Sequence, residues 1–328
     1  MNDIRTGVIG VGSLGFHHAR LLRDVKGAKL IGIYDADRDR LSKIAKELGV
    51  RSFDSSDTLL NEIDACVIAV PTSAHEAVAL EAVGRGVHAL VEKPIAPTLE
   101  AADRILAAAE ANDATVLIGH VERFNAALRA CEPYLDEPMF VESHRLAPFG
   151  PRGTDVAVVL DLMIHDLDLV LSLMKRPVVN FGAVGVPVLT TSTDIANARL
   201  EFEGGGVANL TASRVSLERM RKIRFFQASG YISLDLANGT GSFLRVKDGI
   251  RWEPGTPFPA ERLDQIIERI PLQGDGREPL RAELESFIAT LRGESAIAVT
   301  GKEGRDALAV ALAIVRRIES YVAARATA

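Results

Sequence analysis

Two short runs in this chain of 328 residues carry side chains suited to moving protons and charge at an oxygen: Glu92-Lys93-Pro94 and Asp161-x-x-x-His165-x-x-Asp168. An imidazole titrates near neutrality and can take a hydroxyl proton as general base. An ammonium can stabilise negative charge that develops on an oxygen. Asp161 precedes His165 by one helical turn and can orient the ring or bind a neighbouring hydroxyl. Asp161, His165, Asp168 and Ser172 fall on one stripe of a segment that is otherwise apolar nearly all round, with Val158, Val159, Leu160, Leu162, Met163, Ile164 and Leu167. Carboxylates and an imidazole facing a dry core are costly without partners, so the stripe is expected to face a wet cavity or a paired network. A core histidine satisfied by Asp161 is the structural alternative, and an ordinary surface lysine is the alternative for Lys93. No cluster has metal-ligand spacing, Cys66 and Cys131 included, so no metal is expected.

A proton acceptor and an alkoxide stabiliser suit reversible oxidation of a secondary alcohol, which needs a hydride acceptor. The run Gly10-x-Gly12-Ser13-Leu14-Gly15 follows the apolar Gly7-Val8-Ile9 and precedes a helix-like stretch. Gly10 permits a tight turn, Gly12 lets backbone approach a pyrophosphate, and Gly15 allows close packing of helix on strand. Asp35 ends the next apolar run, where an acid accepts from a ribose and repels a 2'-phosphate. NAD is therefore expected over NADP, with Arg38 and Arg40 able to compensate in part. Thr72, His75, Glu92 and Lys93, near the ends of later strands, are candidate cofactor contacts, with His120 expected at the same edge; His75 is placed to approach the cofactor or merely to start a helix. Packing is the expected role of His17 and His18.

These residues need an α/β frame. Strands are predicted at Arg5-Ile9, Lys29-Tyr34, Ala65-Ala69, His88-Glu92 and Thr115-Gly119, with helices around Leu14-Asp24, Asp37-Leu48, Ala74-Arg85 and Leu99-Ala111. Right-handed crossovers put all carboxyl ends on one edge of a parallel sheet. After about residue 121 the rhythm changes. Helical stretches near Glu122-Tyr134 and Val156-Met174 flank a strand at Phe140-Arg145. Strands at Ile195-Phe202, Val207-Val215, Lys222-Ala228, Tyr231-Leu236 and Ser242-Val246 then suggest a mostly antiparallel sheet with helices on one face. Trp252-Gly276 reads as a long loop around a short helix, and helices near Leu280-Leu291 and Lys302-Ala324 close the chain. The expected division is a dinucleotide-binding domain over 1–121 and an α+β substrate-binding and oligomerisation domain over 122–328.

With 38 Lys and Arg against 44 Asp and Glu, the net charge is −6, which gives no support to nucleic-acid or anionic-membrane binding. No apolar run is long enough to span a bilayer, and only two cysteines occur, so a soluble cytoplasmic protein is expected. A small molecule is the expected partner. In Val207-Val215, Val207, Asn209, Thr211 and Ser213 alternate with Ala208, Leu210 and Ala212, leaving a small, polar face open for pairing in a homo-oligomer, a dimer or tetramer.

Taken together, the glycine loop, Pro71-Thr72-x-x-His75, Gly86-Val87-His88 leading into Glu92-Lys93-Pro94, the Asp161-x-x-x-His165-x-x-Asp168 run, Pro279-Leu280 and Val299-Thr300-Gly301 resemble the Gfo/Idh/MocA oxidoreductase family over essentially the whole chain. The resemblance implies a Rossmann domain, pairing of subunits through the second-domain sheet, and Lys93, Asp161 and His165 flanking nicotinamide and substrate. Gly119-His120-Val121-Glu122-Arg123-Phe124-Asn125 resembles the segment of members that oxidise the 3-hydroxyl of a UDP-amino sugar, and the Pro151-Arg152 to Asp155 run resembles dehydrogenases of amino-sugar synthesis, which makes Arg123 and Asn125 candidates for the substrate or nicotinamide pocket, with a solvated charge or a salt bridge between domains as the alternative for Arg123. Ala126 stands where such segments commonly carry proline. Inositol and simple-pyranose substrates stay open, as does a silent NAD-responsive sensor.

Overall fold

A computed structural model describes residues 3–150, 156–250, 263–294 and 296–326. They form two compact units, Met1–Phe124 with Glu278–Ala309, and Asn125–Arg277 with Val310–Ala328.

In the first unit, β1 (Ile4–Ile9), β2 (Ala28–Tyr34), β3 (Ala65–Ile68), β4 (His88–Glu92) and β5 (Val116–Gly119) form a parallel sheet in the order β2-β1-β3-β4-β5. Every residue of β3 is buried, the continuous apolar run of a strand covered on both faces. The connections run through α1 (Ser13–Leu22), α2 (Arg38–Leu48), α3 (Ser56–Leu60), α4 (Thr72–Val83) and α5 (Leu99–Ala111). Side chains of Asp37, Ser55 and Thr98 cap α2, α3 and α5 by accepting backbone N–H groups. The strand order reverses beside β1, so the carboxyl ends of β1 and β3 form the crevice where ligands of such sheets bind.

The second unit holds an eight-stranded sheet, β6 (Phe140–Leu146), β7 (Val178–Val186), β8 (Ile195–Phe202), β9 (Val207–Ser213), β10 (Met220–Gln227), β11 (Gly230–Asp235), β12 (Thr240–Val246) and β13 (Ile267–Gln273), in the order β13-β12-β11-β10-β6-β9-β8-β7. All neighbours are antiparallel except β6 and β9. One face buries Ala198, Leu200, Ala208, Leu210 and Ala212. The opposite face pairs Asn197 with Thr211 and Arg199 with Asn209.

The helical stretch expected over Glu122–Tyr134 is broken into two 3-10 turns around α6 (Ala126–Cys131), because Asn125 adopts an extended conformation and caps α6. The second expected helix starts with one π-helical turn, Val159–Met163, and continues as α7 (Ile164–Met174). β7 and β13 are additions to the expected strands. Both are sheet edges, and Gly182, Gly185 and Pro271 blur their alternation as edges tolerate. The Pro151–Asp155 run and residues 251–262 lie outside the described residues; the rest of the supposed loop after 262 holds α8 (Leu263–Ile266) and β13.

Residues Glu278–Ala309, read from the sequence as part of the second domain, pack with the first unit. There α9 (Pro279–Leu291) buries Leu284, Phe287 and Ile288 in one core with Val8, Leu21, Leu22 and Ile33. Val299 accepts from Ile118 N–H at 2.9 Å alongside β5. Gly304 of α10 (Gly301–Ala326) then sits so close to β5 that a Cβ there would lie 2.4 Å from Ile118. Helix α10 is shared, its residues to Ala309 in the first unit and the remainder in the second.

Candidate active site

Gly10, at the carboxyl end of β1, has φ +88°, and a Cβ on it would lie 2.7 Å from the Ala69 carbonyl oxygen, so both conformation and space demand glycine. A Cβ on Gly15 would lie 1.8 Å from the Gly10 oxygen, whereas one on Gly12 would meet nothing within 4 Å. Gly12 is the N-cap of α1 and supplies no side-chain cap. The loop therefore leaves open space beside the first turn of α1, at Ser13 and the exposed Leu14, where the backbone N–H groups of a helix N-terminus lie.

Asp35, at the end of β2, is 5% exposed and gathers four hydrogen bonds: Val11 N–H at 2.7 Å, Asp37 N–H at 2.8 Å, and Arg40 through Nε at 3.1 Å and Nη2 at 2.9 Å. Burial alone would push its carboxyl up, but the Arg40 hydrogen bonds and the two backbone N–H groups hold it below the ordinary value. The acid thus braces the glycine loop, with the partly exposed Arg40 over it.

Thr72, half-buried, opens α4. His75, expected at the cofactor, is 1% exposed and turns both ring nitrogens to backbone carbonyls, Nδ1 to Pro94 at 2.8 Å and Nε2 to Val70 at 3.0 Å. Burial pushes the imidazole pKa down, with the two carbonyls pulling the other way, and a neutral ring donates to only one of them. His75 ties the loop after β3 to the loop after β4. Lys93, half-buried, directly follows β4, and its peptide to Pro94 is cis. Glu92 is 8% exposed and bonds His18, which is fully buried in α1. His120, at the end of β5, is also buried. Arg123 pairs with Glu303 at 3.3 Å within the same unit.

In the second unit, Asp161 stands in the π-helical turn and His165 in the first turn of α7, both half-buried amid buried neighbours Val159, Met163 and Ile164. π turns recur at functional sites. Asp168 is buried at 1% exposure, and Ser172 Oγ donates to the Leu169 carbonyl at 2.8 Å. Asn125, expected in the substrate pocket, is 5% exposed; its Oδ1 accepts from Ala127 N–H at 3.1 Å and its Nδ2 donates to the Leu236 carbonyl at 2.8 Å. It fastens α6 to the end of β11. A cavity of about 440 Å³, lined by Glu218, Arg219, Arg221, Lys222, Asp235 and Asn238 among others, opens where β10 begins and β11 ends.

Three polar pairs escaped the sequence reading. His18 with Glu92 gave no signal beyond its helix position. Arg145 donates two 2.9 Å hydrogen bonds to Asp166, joining β6 to α7, with both residues at most 3% exposed. Here the signal existed, since Arg145 shares the inward phase of β6 with Val141 and Ser143. Asp194, 0% exposed, accepts from the N–H groups of Val188, Leu189 and Thr190 at 2.8, 2.7 and 2.9 Å and from Thr190 Oγ1 at 2.8 Å. Burial alone would raise its pKa, but those three backbone N–H groups and the hydroxyl hold it at about 2. Arg214 lies beside it and donates to the carbonyls of Val156, just ahead of the π-helical turn, and of Thr193, just ahead of β8.

Both cysteines are free and buried, and burial pushes each thiol up to about 12, which removes them as nucleophiles. Among the described residues no group of three or more His, Cys, Asp or Glu is placed to hold a metal ion, and no helix is long and apolar enough to cross a membrane.

A glycine loop at the switch point of a parallel sheet, with a second sheet-bearing unit carrying an acid and a histidine on one helix, defines the class of dinucleotide-binding oxidoreductases. Residues 4–120 match the model of an oxidoreductase family with an NAD-binding Rossmann fold, and residues 117–233 that of a GFO/IDH/MocA C-terminal domain. UDP-N-acetylglucosamine 3-dehydrogenase of Acidithiobacillus ferrooxidans is 38% identical over 98% of this chain and 99% of its own. A solved structure of that enzyme superimposes with a TM-score of 0.89 at the same coverage. Myo-inositol 2-dehydrogenase of Thermotoga maritima is 24% identical over 96% of each chain. The chain belongs to the Gfo/Idh/MocA oxidoreductase family.

Proposed function

We propose that this protein is an NAD-dependent dehydrogenase that oxidises the 3-hydroxyl of a UDP-amino sugar. The observation that carries the reading is the 38% identity, over nearly the full length of both chains, to a UDP-N-acetylglucosamine 3-dehydrogenase. Gly10, Gly12, Ser13, Leu14, Gly15, Asp35, Thr72 and Lys93 would hold or face the cofactor, which when bound supplies the hydride acceptor, whereas Glu92, expected beside it, gives its carboxylate to His18 and the Lys93 N–H. His165 takes the hydroxyl proton, Lys93 stabilises the developing alkoxide, and Asp161 orients the ring or a neighbouring hydroxyl. Purified protein is expected to reduce NAD in the presence of UDP-N-acetylglucosamine. A response to myo-inositol or glucose alone would reassign the substrate, and none at all would favour a silent sensor.

Asp35, anionic beneath Arg40, supports NAD over NADP, and NADPH binding tighter than NADH by calorimetry would reverse this. A homo-oligomer joined through the open sheet face is supported by the outward cluster of Phe140, Phe226 and Tyr231 and by the half-exposed Val184 and Val186. A monomer mass by light scattering would refute it. Two free, buried cysteines suit the reducing cytoplasm as its place of work.

A further inference from the structure

His18 and Glu92 have no part in the roles above, yet their geometry bears on Lys93. His18 Nε2 meets Glu92 Oε1 at 2.7 Å, and Glu92 Oε2 accepts the Lys93 backbone N–H at 3.2 Å. We propose that His18 and Glu92 are positioning residues: the pair fixes the backbone of Lys93 from the helix that carries the glycine loop, and so governs turnover rather than cofactor affinity. The proposal rests on the reading of Lys93 as a catalytic group.

Burial makes the pair demanding. His18 is 0% exposed and Glu92 8%, and a buried carboxylate needs both partners and fixed geometry to be tolerated. Gly119 leaves the carboxylate its room, since a Cβ there would lie 3.3 Å from its Cδ and Oε2. The hydrogen bond from His18 therefore fixes which way the carboxylate turns. Burial alone would push the Glu92 pKa up, but the hydrogen bond and charge of His18, followed by the charge of Lys93, hold it below the ordinary value.

On the far side of Lys93, His75 Nδ1 meets the Pro94 carbonyl at 2.8 Å. The backbone around Lys93 is thus gripped at the Lys93 N–H through Glu92 and at the Pro94 oxygen by His75. A side chain on so gripped a backbone is held for one direction of approach, and a misplacement of about 1 Å can cost on the order of 10²-fold in rate.

The test compares His18→Leu, which removes the donor, with His18→Gln, whose amide N–H can stand near the place of Nε2. His18→Leu is expected to lower kcat at least roughly 10-fold while changing the NADH Kd and the substrate KM by less than about 3-fold. The Lys93 amide should also exchange with deuterium faster in the cofactor-free protein. His18→Gln should restore most of the turnover and the exchange protection. Wild-type kcat and amide protection in His18→Leu, beside a Lys93→Met variant that has lost turnover, would reduce the pair to packing and overturn the proposal. Full turnover in Lys93→Met would instead remove the reading beneath it. If His18→Leu does not fold, Glu92→Gln takes its place, with lost turnover at intact NADH affinity in support and normal turnover against.

Discussion

Replacing His165 by asparagine removes the imidazole proposed to accept the hydroxyl proton while keeping a polar side chain at the start of α7. Turnover should fall on the order of 10²- to 10⁴-fold, the usual cost of losing a general base. Lys93→Met should cost on the order of 10²-fold or more, as does loss of an oxyanion donor. Both variants should bind NADH as the wild type does, by calorimetry on the folded proteins. Lys93, Asp161 and His165 stand out in the sequence because their types and spacing are rare against an apolar background, and these two variants are what test the roles of Lys93 and His165. His75 and Asn125 were not legible in the same way. A sequence gives the identity of a polar group but not the direction it faces, and here both face backbone, His75 toward Pro94 and Val70, Asn125 toward Ala127 and Leu236.

At the scale of elements, the glycine loop separates space needed by the protein from space available for a ligand. Gly15→Ala should destabilise the protein strongly, since its Cβ would lie 1.8 Å from the Gly10 oxygen, and the loss would show as a lowered Tm without cofactor. Gly12→Val should leave that Tm nearly unchanged, because its Cβ meets nothing within 4 Å, yet weaken NAD binding at least about 10-fold by filling the open space beside α1. Inner strands were easy to read, since burial on both faces demands continuous apolar runs. The edge strands β7 and β13 were not, because an edge tolerates glycine and proline. Nor does an apolar stripe on α9 reveal which core it joins, which is why a helix read as part of the second domain packs with the first. The π-helical turn was hidden too, because four residues make nearly one turn in either kind of helix and the spacing of Asp161 and His165 suits both.

For the whole molecule, acid should expose a buried dependence on Asp194. Its pKa falls from the ordinary 3.8 to about 2 on folding, so its stabilisation is complete above the higher value and disappears as pH falls through the lower. Asp194→Asn should therefore be less stable by about 2 kcal/mol at pH 7, with the gap to wild type in denaturant titrations closing as pH approaches the folded-state value. An unchanged gap down to pH 2 would dissociate the aspartate from acid sensitivity. The division of the chain has a further outcome for anyone exchanging parts between related genes. The first unit is two separate stretches of sequence, Met1–Phe124 and Glu278–Ala309. A fragment cut at Phe124 would encode a sheet whose helix α1 lacks the cover of Leu284, Phe287 and Ile288, and should be insoluble when produced alone. The inheritable module is therefore a discontinuous one, and a successful transplant of the nucleotide-binding half must carry its distant C-terminal segment with it.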